Sequence, residues 1–211
     1  MRLGKLALCS ILLAMSLVLA SCDDDDAAIP SYITDFVTAH SNSEKLVDRI
    51  LFDDGCDYAL TKQKIQASAA DSAYRCIATY AVQEDGERAI YMMEPVVSTV
   101  PKYIDEMKTG RDSITHAPVK VVSVWKGRGY VNIHLGTLVQ GVAAHMYGFL
   151  LDSIANGTEY VSLLHFRPSN DGEAYTSNVY MSMPMVKRSE DVERFVLRIN
   201  TYDGWKSYEF K

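Results

Sequence analysis

The stretch at residues 119–135, VKVVSVWKGRGYVNIHL, has the pattern of two β-strands joined by a turn. Residues 119–125 are rich in valine, and residues 130–135 alternate, with Val131, Ile133 and Leu135 on one face. Polar and aromatic side chains occupy the other face, and the Lys-Gly-Arg-Gly between the two runs suits a hairpin turn. The pattern predicts two half-buried antiparallel strands.

The same pattern continues from this hairpin to the end of the chain. Apolar runs of strand length stop at Asn156-Gly157, at residues 170–172 (Asn-Asp-Gly) and at Asp203-Gly204. About seven short strands separated by such turns are typical of a sandwich of two sheets. Residues 118–211 are therefore predicted to form a β-sandwich domain.

Residues 32–101 contain about five further short strands, which predict a small barrel of the OB type, although periodicity alone does not separate it from another small β-barrel. An insert at residues 58–71 is expected to be a short helix or a loop. Pro95 requires an edge position or a bulge in the last strand. Residues 102–117 are polar and are predicted as a linker. The fold class is all-β, a barrel followed by a sandwich; a single twelve-strand assembly is the alternative.

Residues 1–21 are predicted to be a lipoprotein signal peptide. Arg2 and Lys5 give a basic start, residues 6–19 are almost wholly apolar, and small residues precede Cys22. The apolar run is short for a membrane span. Residues 19–22, Leu-Ala-Ser-Cys, resemble the bacterial lipobox, which makes Cys22 the predicted lipidation site, and its acyl chains would anchor the protein stably.

Four aspartates follow the cysteine directly, within a tether at residues 22–31. One interpretation is an extended, self-repelling spacer. The other rests on resemblance to exported lipoproteins of a large group of Gram-negative anaerobes, in which such an acidic run directs the protein to the outer face of the outer membrane. This interpretation predicts a location facing the cell exterior, with the periplasmic face as the alternative. The four residues are Asp23, Asp24, Asp25 and Asp26.

Composition and motifs exclude several functions. Without residues 1–21, 19 Lys and Arg stand against 27 Asp and Glu, so the net charge is −8, which argues against binding nucleic acid. No nucleophile motif, phosphate-binding loop or metal-ligand spacing is present, so no catalytic residue, metal or cofactor is predicted. His134 and His145 could meet across neighbouring strands, where a hydrogen-bonded strand histidine is favoured over a metal ligand or general base.

Two cysteines and three serines are candidates for modification. Cys56 and Cys76 form an even pair in an exported protein, which predicts either a disulfide or two buried free thiols. Ser72, Ser113 and Ser153 each stand between an aspartate and an apolar residue. This triplet resembles the O-glycosylation acceptor of exported proteins in the same bacterial group, whereas Asp-Ser pairs also form turns. All three serines are predicted to lie in loops or linkers.

The aromatic content indicates a binding surface. The chain has 13 Tyr, 6 Phe and 2 Trp, and tyrosine combines an apolar ring with a polar tip, which suits wet surfaces that bind proteins or sugars. Half-exposed strand positions also favour tyrosine without any ligand. Trp125, Tyr130 and Tyr147 are the candidate binding residues.

Several segments in order resemble NigD-like lipoproteins, and the resemblance covers nearly all of the chain after the signal peptide. They include ILFDDGCDYAL at residues 50–60, PVKVVSVWKGRGYVNIHL at 118–135 and INTYDGWKSYEFK at 199–211. The resemblance implies an OB-like N-terminal domain and a C-terminal β-sandwich. It also implies a role in immunity, since the family takes its name from a gene beside a bacteriocin and is described as immunity proteins.

The sequence as a whole predicts a lipid-anchored outer-membrane protein that binds a protein or glycan and is not an enzyme. A bacteriocin immunity protein is the first alternative, and an envelope hydrolase is the second. Beyond the lipid anchor in the membrane, the sequence does not identify the partner.

Overall fold

A computed structural model of the protein describes residues 31–107, 114–141 and 144–211. Within these ranges the chain forms twelve strands and one 3-10 turn, so the predicted all-β fold is confirmed. The predicted signal peptide, Cys22 and the four aspartates lie outside the described residues. The strands are β1 (Tyr32–Ser41), β2 (Val47–Phe52), β3 (Asp57–Ala59), β4 (Ala73–Val82), β5 (Arg88–Pro95), β6 (Lys120–Lys126), β7 (Tyr130–Val139), β8 (Met146–Ala155), β9 (Thr158–Phe166), β10 (Tyr175–Pro184), β11 (Arg194–Thr201) and β12 (Gly204–Phe210). Among the described residues, no helix has the length and hydropathy to span a membrane.

The first five strands form an OB-like barrel. They lie in the order β3-β2-β1-β4-β5, and β1 is central because it pairs antiparallel with both β2 and β4. The segment that follows β3 is linked to edge strand β5 by a side chain, since the Gln63 amide accepts from the Ile90 N–H at 2.9 Å and donates to the Ile90 carbonyl at 3.0 Å. The buried core consists of Val37, Ala39, Val47, Ile50, Phe52, Leu60, Ala67, Cys76, Ala78, Tyr80 and Ile90.

Local sequence explains the turn between β2 and β3 and the position of Pro95. Gly55 adopts a φ of +93° in the turn between β2 and β3, which a residue with a side chain rarely does. The Asp54 carboxylate accepts from the Cys56 N–H at 2.7 Å in the same turn. Pro95 is the last residue of β5, an edge strand, as its missing N–H requires.

The insert at residues 58–71 contains no helix. Its backbone is extended alongside the start of β2, where the Ile65 carbonyl accepts from the Val47 N–H at 2.9 Å. Leu60 and Ala67 are buried in the barrel core. These contacts outweigh the helix propensity of the Ala- and Lys-rich sequence, so the loop alternative is the correct one.

The last seven strands form the sandwich. One sheet has the order β10-β7-β6 and the other β12-β11-β9-β8, in which β9 and β11 are parallel. Val131, Ile133 and Leu135 of β7 are fully buried between the sheets, as their alternation predicts. The other buried core residues are Val119, Phe149, Leu151, Val161, Leu163, Met181, Met183, Leu197 and Ile199.

The segment predicted as a linker is hydrogen-bonded to the sandwich at both of its described ends. The Leu151 N–H donates to the Lys102 carbonyl at 2.9 Å, and the His165 N–H donates to the Thr115 carbonyl at 3.0 Å. Between them lies the 3-10 turn Ile104–Glu106. The segment therefore adds to the sheet that contains β8 and β9.

Arg75 joins the barrel to the sandwich. Its side chain is 2% exposed, and its guanidinium donates to Thr38 Oγ1 at 3.2 Å and Asp53 Oδ2 at 2.5 Å in the barrel. It also donates to Ser182 Oγ at 3.0 Å and Asn132 Oδ1 at 3.1 Å in the sandwich. The Asn132 amide donates to the same Asp53 oxygen at 2.7 Å. A buried charge is stable only with such partners, so the network fixes the two parts together.

Gly127 permits this close approach. A Cβ at this position would lie 2.1 Å from Asp53 Oδ2 and 2.6 Å from Asn132 Nδ2. Real Cβ atoms do not approach other atoms so closely, so a side chain here would displace the carboxylate from Arg75. In the turn at residues 126–129, Gly127 is therefore needed for the contact between the barrel and the sandwich as well as for the shape of the turn.

We expect Arg75→Met to lower the free energy of unfolding by about 3 kcal/mol, because the change leaves Asp53 and Asn132 without their cationic donor. Urea unfolding of the purified protein measures this. Arg49→Met is the matched control, since the Arg49–Asp57 pair is 51% and 44% exposed and its loss should change the free energy of unfolding much less. Equal losses in both variants would contradict the role assigned to Arg75.

Candidate functional site

Trp125, a predicted binding residue, lies at the surface beside the barrel. It is near the end of β6, is 40% exposed, and meets the Phe36 ring edge-on at a centroid distance of 5.4 Å. Phe36 belongs to β1 and is itself 3% exposed. Trp125 therefore covers a barrel side chain and still presents part of its indole to solvent.

Further aromatic rings continue this surface along the outer face of the three-stranded sheet. Tyr180 of β10 lies 6.1 Å from Phe36 and stacks on His134 of β7 at 4.4 Å. His134 Nε2 lies 3.0 Å from Asn178 Oδ1, which fixes the imidazole over the tyrosine. The cross-strand pairs His134–Tyr180 and Trp125–Asn132 are neighbouring rows of the sheet.

The barrel contributes the other end of the surface. Tyr32 and Phe36 share one face of β1, since side chains alternate along a strand. Tyr32 meets Tyr91 of β5 edge-on at 4.8 Å, and the two rings are 53% and 56% exposed. We refer to Tyr32, Phe36, Tyr91, Trp125, His134 and Tyr180 together as the aromatic face.

The aromatic face has the chemistry of a binding surface. Three of its rings, those of Tyr32, Tyr91 and Trp125, are 40–56% exposed. Exposed rings with polar tips contribute large contact areas at low entropic cost, and tryptophan and tyrosine are the residues that most often dominate binding energies. The rings belong to strands that are paired within their sheets, and this pairing holds the rings in place.

The other two predicted binding residues do not join this surface. The Tyr130 ring packs against the Arg75 guanidinium at 4.2 Å, so it supports the junction. Tyr147 stacks on His165 at 4.7 Å, and its hydroxyl donates to Thr137 Oγ1 at 2.9 Å. Of the three candidates, only Trp125 presents its ring on the aromatic face.

A second cluster lies beside Tyr147 and was not predicted from the sequence. His145 Nε2 is 2.6 Å from Asp171 Oδ2, and His145 Nδ1 is 2.8 Å from His165 Nε2. His165 Nδ1 lies 3.0 Å from the Ala117 carbonyl. The side chains of His145 and Asp171 are 6% and 1% exposed, so this histidine chain is buried. His145 therefore pairs with His165 and not with His134.

Hydrogen-bond chemistry assigns the protons along the histidine chain. Since Ala117 offers a carbonyl, His165 donates from Nδ1 and accepts at Nε2 from His145. Burial lowers the pKa of His165 to about 4, which keeps this ring neutral. The hydrogen bond from His145 and two backbone N–H donors, from Gln140 and Gly141, lower the pKa of Asp171. His145 Nδ1 thus faces the accepting nitrogen of His165, and His145 Nε2 faces the Asp171 carboxylate.

This arrangement leaves no ring nitrogen available to a substrate. Both nitrogens of each histidine are engaged, and a general base needs an accepting atom that faces the reacting group. Among the described residues, no group of three or more His, Cys, Asp or Glu side chains could hold a metal ion. The histidine chain ties the loop at Gln140 and Gly141 to the end of the sandwich.

The predicted modification sites have separate environments. Cys56 and Cys76 are free thiols in the structure; Cys76 is buried, and Cys56 packs against the same core. Burial raises the pKa of the Cys76 thiol to about 12.

Ser72 is half-buried and its Oγ lies 3.0 Å from Ser41 Oγ. Ser153 is exposed in strand β8 and so is not in the predicted loop. Ser113 lies outside the described residues.

A family model for the NigD-like C-terminal beta sandwich domain matches residues 102–211. The chain belongs to the NigD-like family. The match begins at the segment that pairs with β8, in agreement with the hydrogen bonds that attach this segment to the sandwich. No curated protein matches the chain.

Solved structures extend the similarity to the barrel. A NigD-like immunity protein from Bacteroides caccae has a TM-score of 0.66 and 27% identity, over 86% of this chain and 92% of that one. A protein described as toxin-related from Parabacteroides distasonis has a TM-score of 0.65 and 14% identity, over 85% and 92%. A DUF1344 protein of unknown function from Bacteroides vulgatus has a TM-score of 0.63 and 14% identity, over 86% and 90%. The last two show similarity of fold alone.

We expect the NigD-like chain to lose stability as the pH falls from 6.5 toward 4. Neutral His165 binds a proton on unfolding throughout this window, so the unfolded state holds more protons and the free energy of unfolding decreases by about 3 kcal/mol. The lowered pKa of Asp171 adds its own loss only at more acid pH. Urea unfolding at a series of pH values measures the slope.

His165→Gln should flatten this slope, whatever its effect on stability at pH 7. His134→Gln is the matched control, because the His134 ring is only half-buried and bonds to a side-chain amide. The control should retain the slope of the unmodified protein. The same slope in all three proteins would contradict the assignment of a neutral, buried His165.

Proposed function

We propose that this NigD-like protein is a non-catalytic binding protein of the bacterial envelope, anchored in the outer membrane by a lipid on Cys22. Its aromatic face holds a protein or glycan partner at the cell surface. The observation that carries the proposal is the exposure of Tyr32, Tyr91 and Trp125 on strands that are otherwise packed into rigid cores. Such a surface suits a partner that displaces water from several rings at once.

The histidine chain supports a role without chemistry. Its ring nitrogens are satisfied within the protein, and Asp171 is engaged by His145 and by backbone donors. An envelope hydrolase would need a base or acid directed at its substrate. The buried cluster therefore favours binding over hydrolysis as the work of this chain.

A second candidate function is immunity to a bacteriocin. The similarity to a NigD-like immunity protein from Bacteroides caccae, at 27% identity over 86% of the chain, favours it. An immunity protein of the envelope would intercept one toxin before that toxin reaches its target. In this case the partner on the aromatic face is a protein toxin, and the gene for it is expected next to the gene for this chain.

The two candidates differ in the effect of deleting the gene. For an immunity protein, deletion should sensitise the cell to one bacteriocin, and complementation should restore resistance. For an accessory binding protein, bacteriocin sensitivity should not change, while a defined envelope component loses its association with the protein.

We expect Trp125→Ala to weaken partner binding about thirtyfold, because truncation of a central tryptophan costs about 2 kcal/mol or more. Co-purification of the crosslinked envelope partner, or resistance of the complemented deletion strain, provides the measurement. Trp205→Ala is the matched control, since Trp205 is 46% exposed but packs on Arg198 and His116 away from the aromatic face. An equal effect of both substitutions, or no effect of Trp125→Ala, would reject the aromatic face as the site.

The proposed anchor makes a separate prediction. Cys22→Ala should release the protein from the membrane fraction, since the acyl chains supply the binding energy. Fractionation followed by immunoblotting measures this. The control is a variant with Asp23, Asp24, Asp25 and Asp26 all changed to Ala, which keeps the lipidated cysteine and should remain in the membrane fraction. This variant should become protected from protease added to whole cells. Membrane retention of Cys22→Ala would refute lipidation at this residue.

A further inference from the structure

The sandwich contains a recess outside the aromatic face proper. It has a volume of about 430 Å³ and lies where the three-stranded sheet meets the turn between β11 and β12. This volume is within the range of small-molecule sites, about 300–1,000 Å³. Apolar walls come from Val121 and Leu138, and Tyr202 closes one side.

Gly136 is one of the residues that line the recess. It lies inside β7, where it pairs with Lys120 on one side and Asn178 on the other, and it presents no side chain to the outer face. A Cβ here would lie 2.8 Å from Thr176 Cγ2, so even alanine would push against this methyl group, which also lines the recess. A glycine weakens a strand interior and often marks a place where a ligand comes near the backbone.

The polar groups of the recess combine hydroxyls with a net positive charge. Lys120 and Lys206 both line it, against the single carboxylate of Asp203, which lies 3.7 Å from Lys206 Nζ. The whole chain has a net charge of −6, so a positive recess is a local exception. Thr176 and Tyr202 add hydroxyl groups, and partial burial raises the pKa of Tyr202, which keeps its O–H as a donor.

We propose that this recess binds a carboxylate-bearing sugar. The apolar walls suit the C–H face of a pyranose ring, the hydroxyls of Thr176 and Tyr202 suit its hydroxyl groups, and Lys120 with Lys206 neutralises the carboxylate. A wholly apolar ligand would bury these polar groups without partners, which is costly. The inference rests on the proposed binding function and names a ligand class for it.

The position of the recess allows longer saccharides. Gly136 is two residues from His134 on the same face of β7, which is about 7 Å along the strand. The row formed by Lys120, Gly136 and Asn178 is next to the stacked His134–Tyr180 pair. A chain of several sugars seated at Gly136 would therefore extend over the aromatic face toward Trp125.

Titration of the full folded protein with a galacturonic acid trisaccharide tests the inference, with amide chemical shifts as the readout. We expect saturable shifts at Val121, Gly136 and Leu138 below about 10 mM. The uncharged trisaccharide maltotriose should bind about tenfold more weakly, because it lacks the carboxylate that the lysines neutralise. High salt should weaken the binding of the acidic trisaccharide and leave the binding of maltotriose unchanged.

Lys120→Gln should weaken binding of the acidic trisaccharide about tenfold without unfolding the protein, since Lys120 is exposed. Lys187→Gln, at an exposed lysine of the sandwich outside the recess, is the matched control and should leave binding unchanged. Absence of saturable shifts, shifts confined to other surfaces, or equal binding by both variants would overturn the inference. If the sugar does not bind but the protein still captures its partner through Trp125, the inference fails and the proposed function stands. If the sugar binds but no partner is captured, the inference stands and the proposed function fails.

Discussion

The buried guanidinium of Arg75 is the constraint on which the rest of the structure depends. A charged group that is 2% exposed must find acceptors, and Arg75 takes them from β1, the turn after β2, β7 and β10. No single sheet supplies all four, so the barrel and the sandwich must pack together before the charge is satisfied. In agreement with this, residues Tyr32–Lys211 form one compact unit although they contain two separate apolar cores.

The sequence predicts the elements of this fold better than their assembly. The alternation at Val131, Ile133 and Leu135 identifies the inner face of β7, because a core of strands imposes a period of two. The same alternation leaves Asn132 on the outer face, where it is nonetheless fully buried by the barrel. Arg75 and Ser182 are 107 positions apart in the chain, and no local pattern reports a contact over that distance. For this reason the sequence could not predict that β4 is buried on both of its faces.

The sequence predicts less of the candidate site than of the fold, because the site also depends on contacts between residues far apart in the chain. Residue type suggests Trp125, Tyr130 and Tyr147 equally, yet Tyr130 packs on Arg75 and Tyr147 on His165, so only Trp125 remains available. Whether a ring binds a partner or supports the fold depends on what covers it, which is a property of tertiary structure. The pairing of His145 with His165 and Asp171 depends likewise on how the loops meet at one end of the sandwich.

The covalent chain limits where a partner on the aromatic face can lie. Tyr32 belongs to this face and is also the first residue of β1, ten positions after Cys22. A fully extended chain covers at most about 3.6 Å per residue, so a lipid on Cys22 would hold Tyr32 within about 36 Å of the membrane. Because Arg75 fixes the barrel to the sandwich, Trp125 and the recess at Gly136 move with Tyr32 as one body. With the proposed lipid on Cys22, a partner bound to this surface would itself have to lie near the membrane, as a membrane protein, a surface glycan or a toxin in transit does.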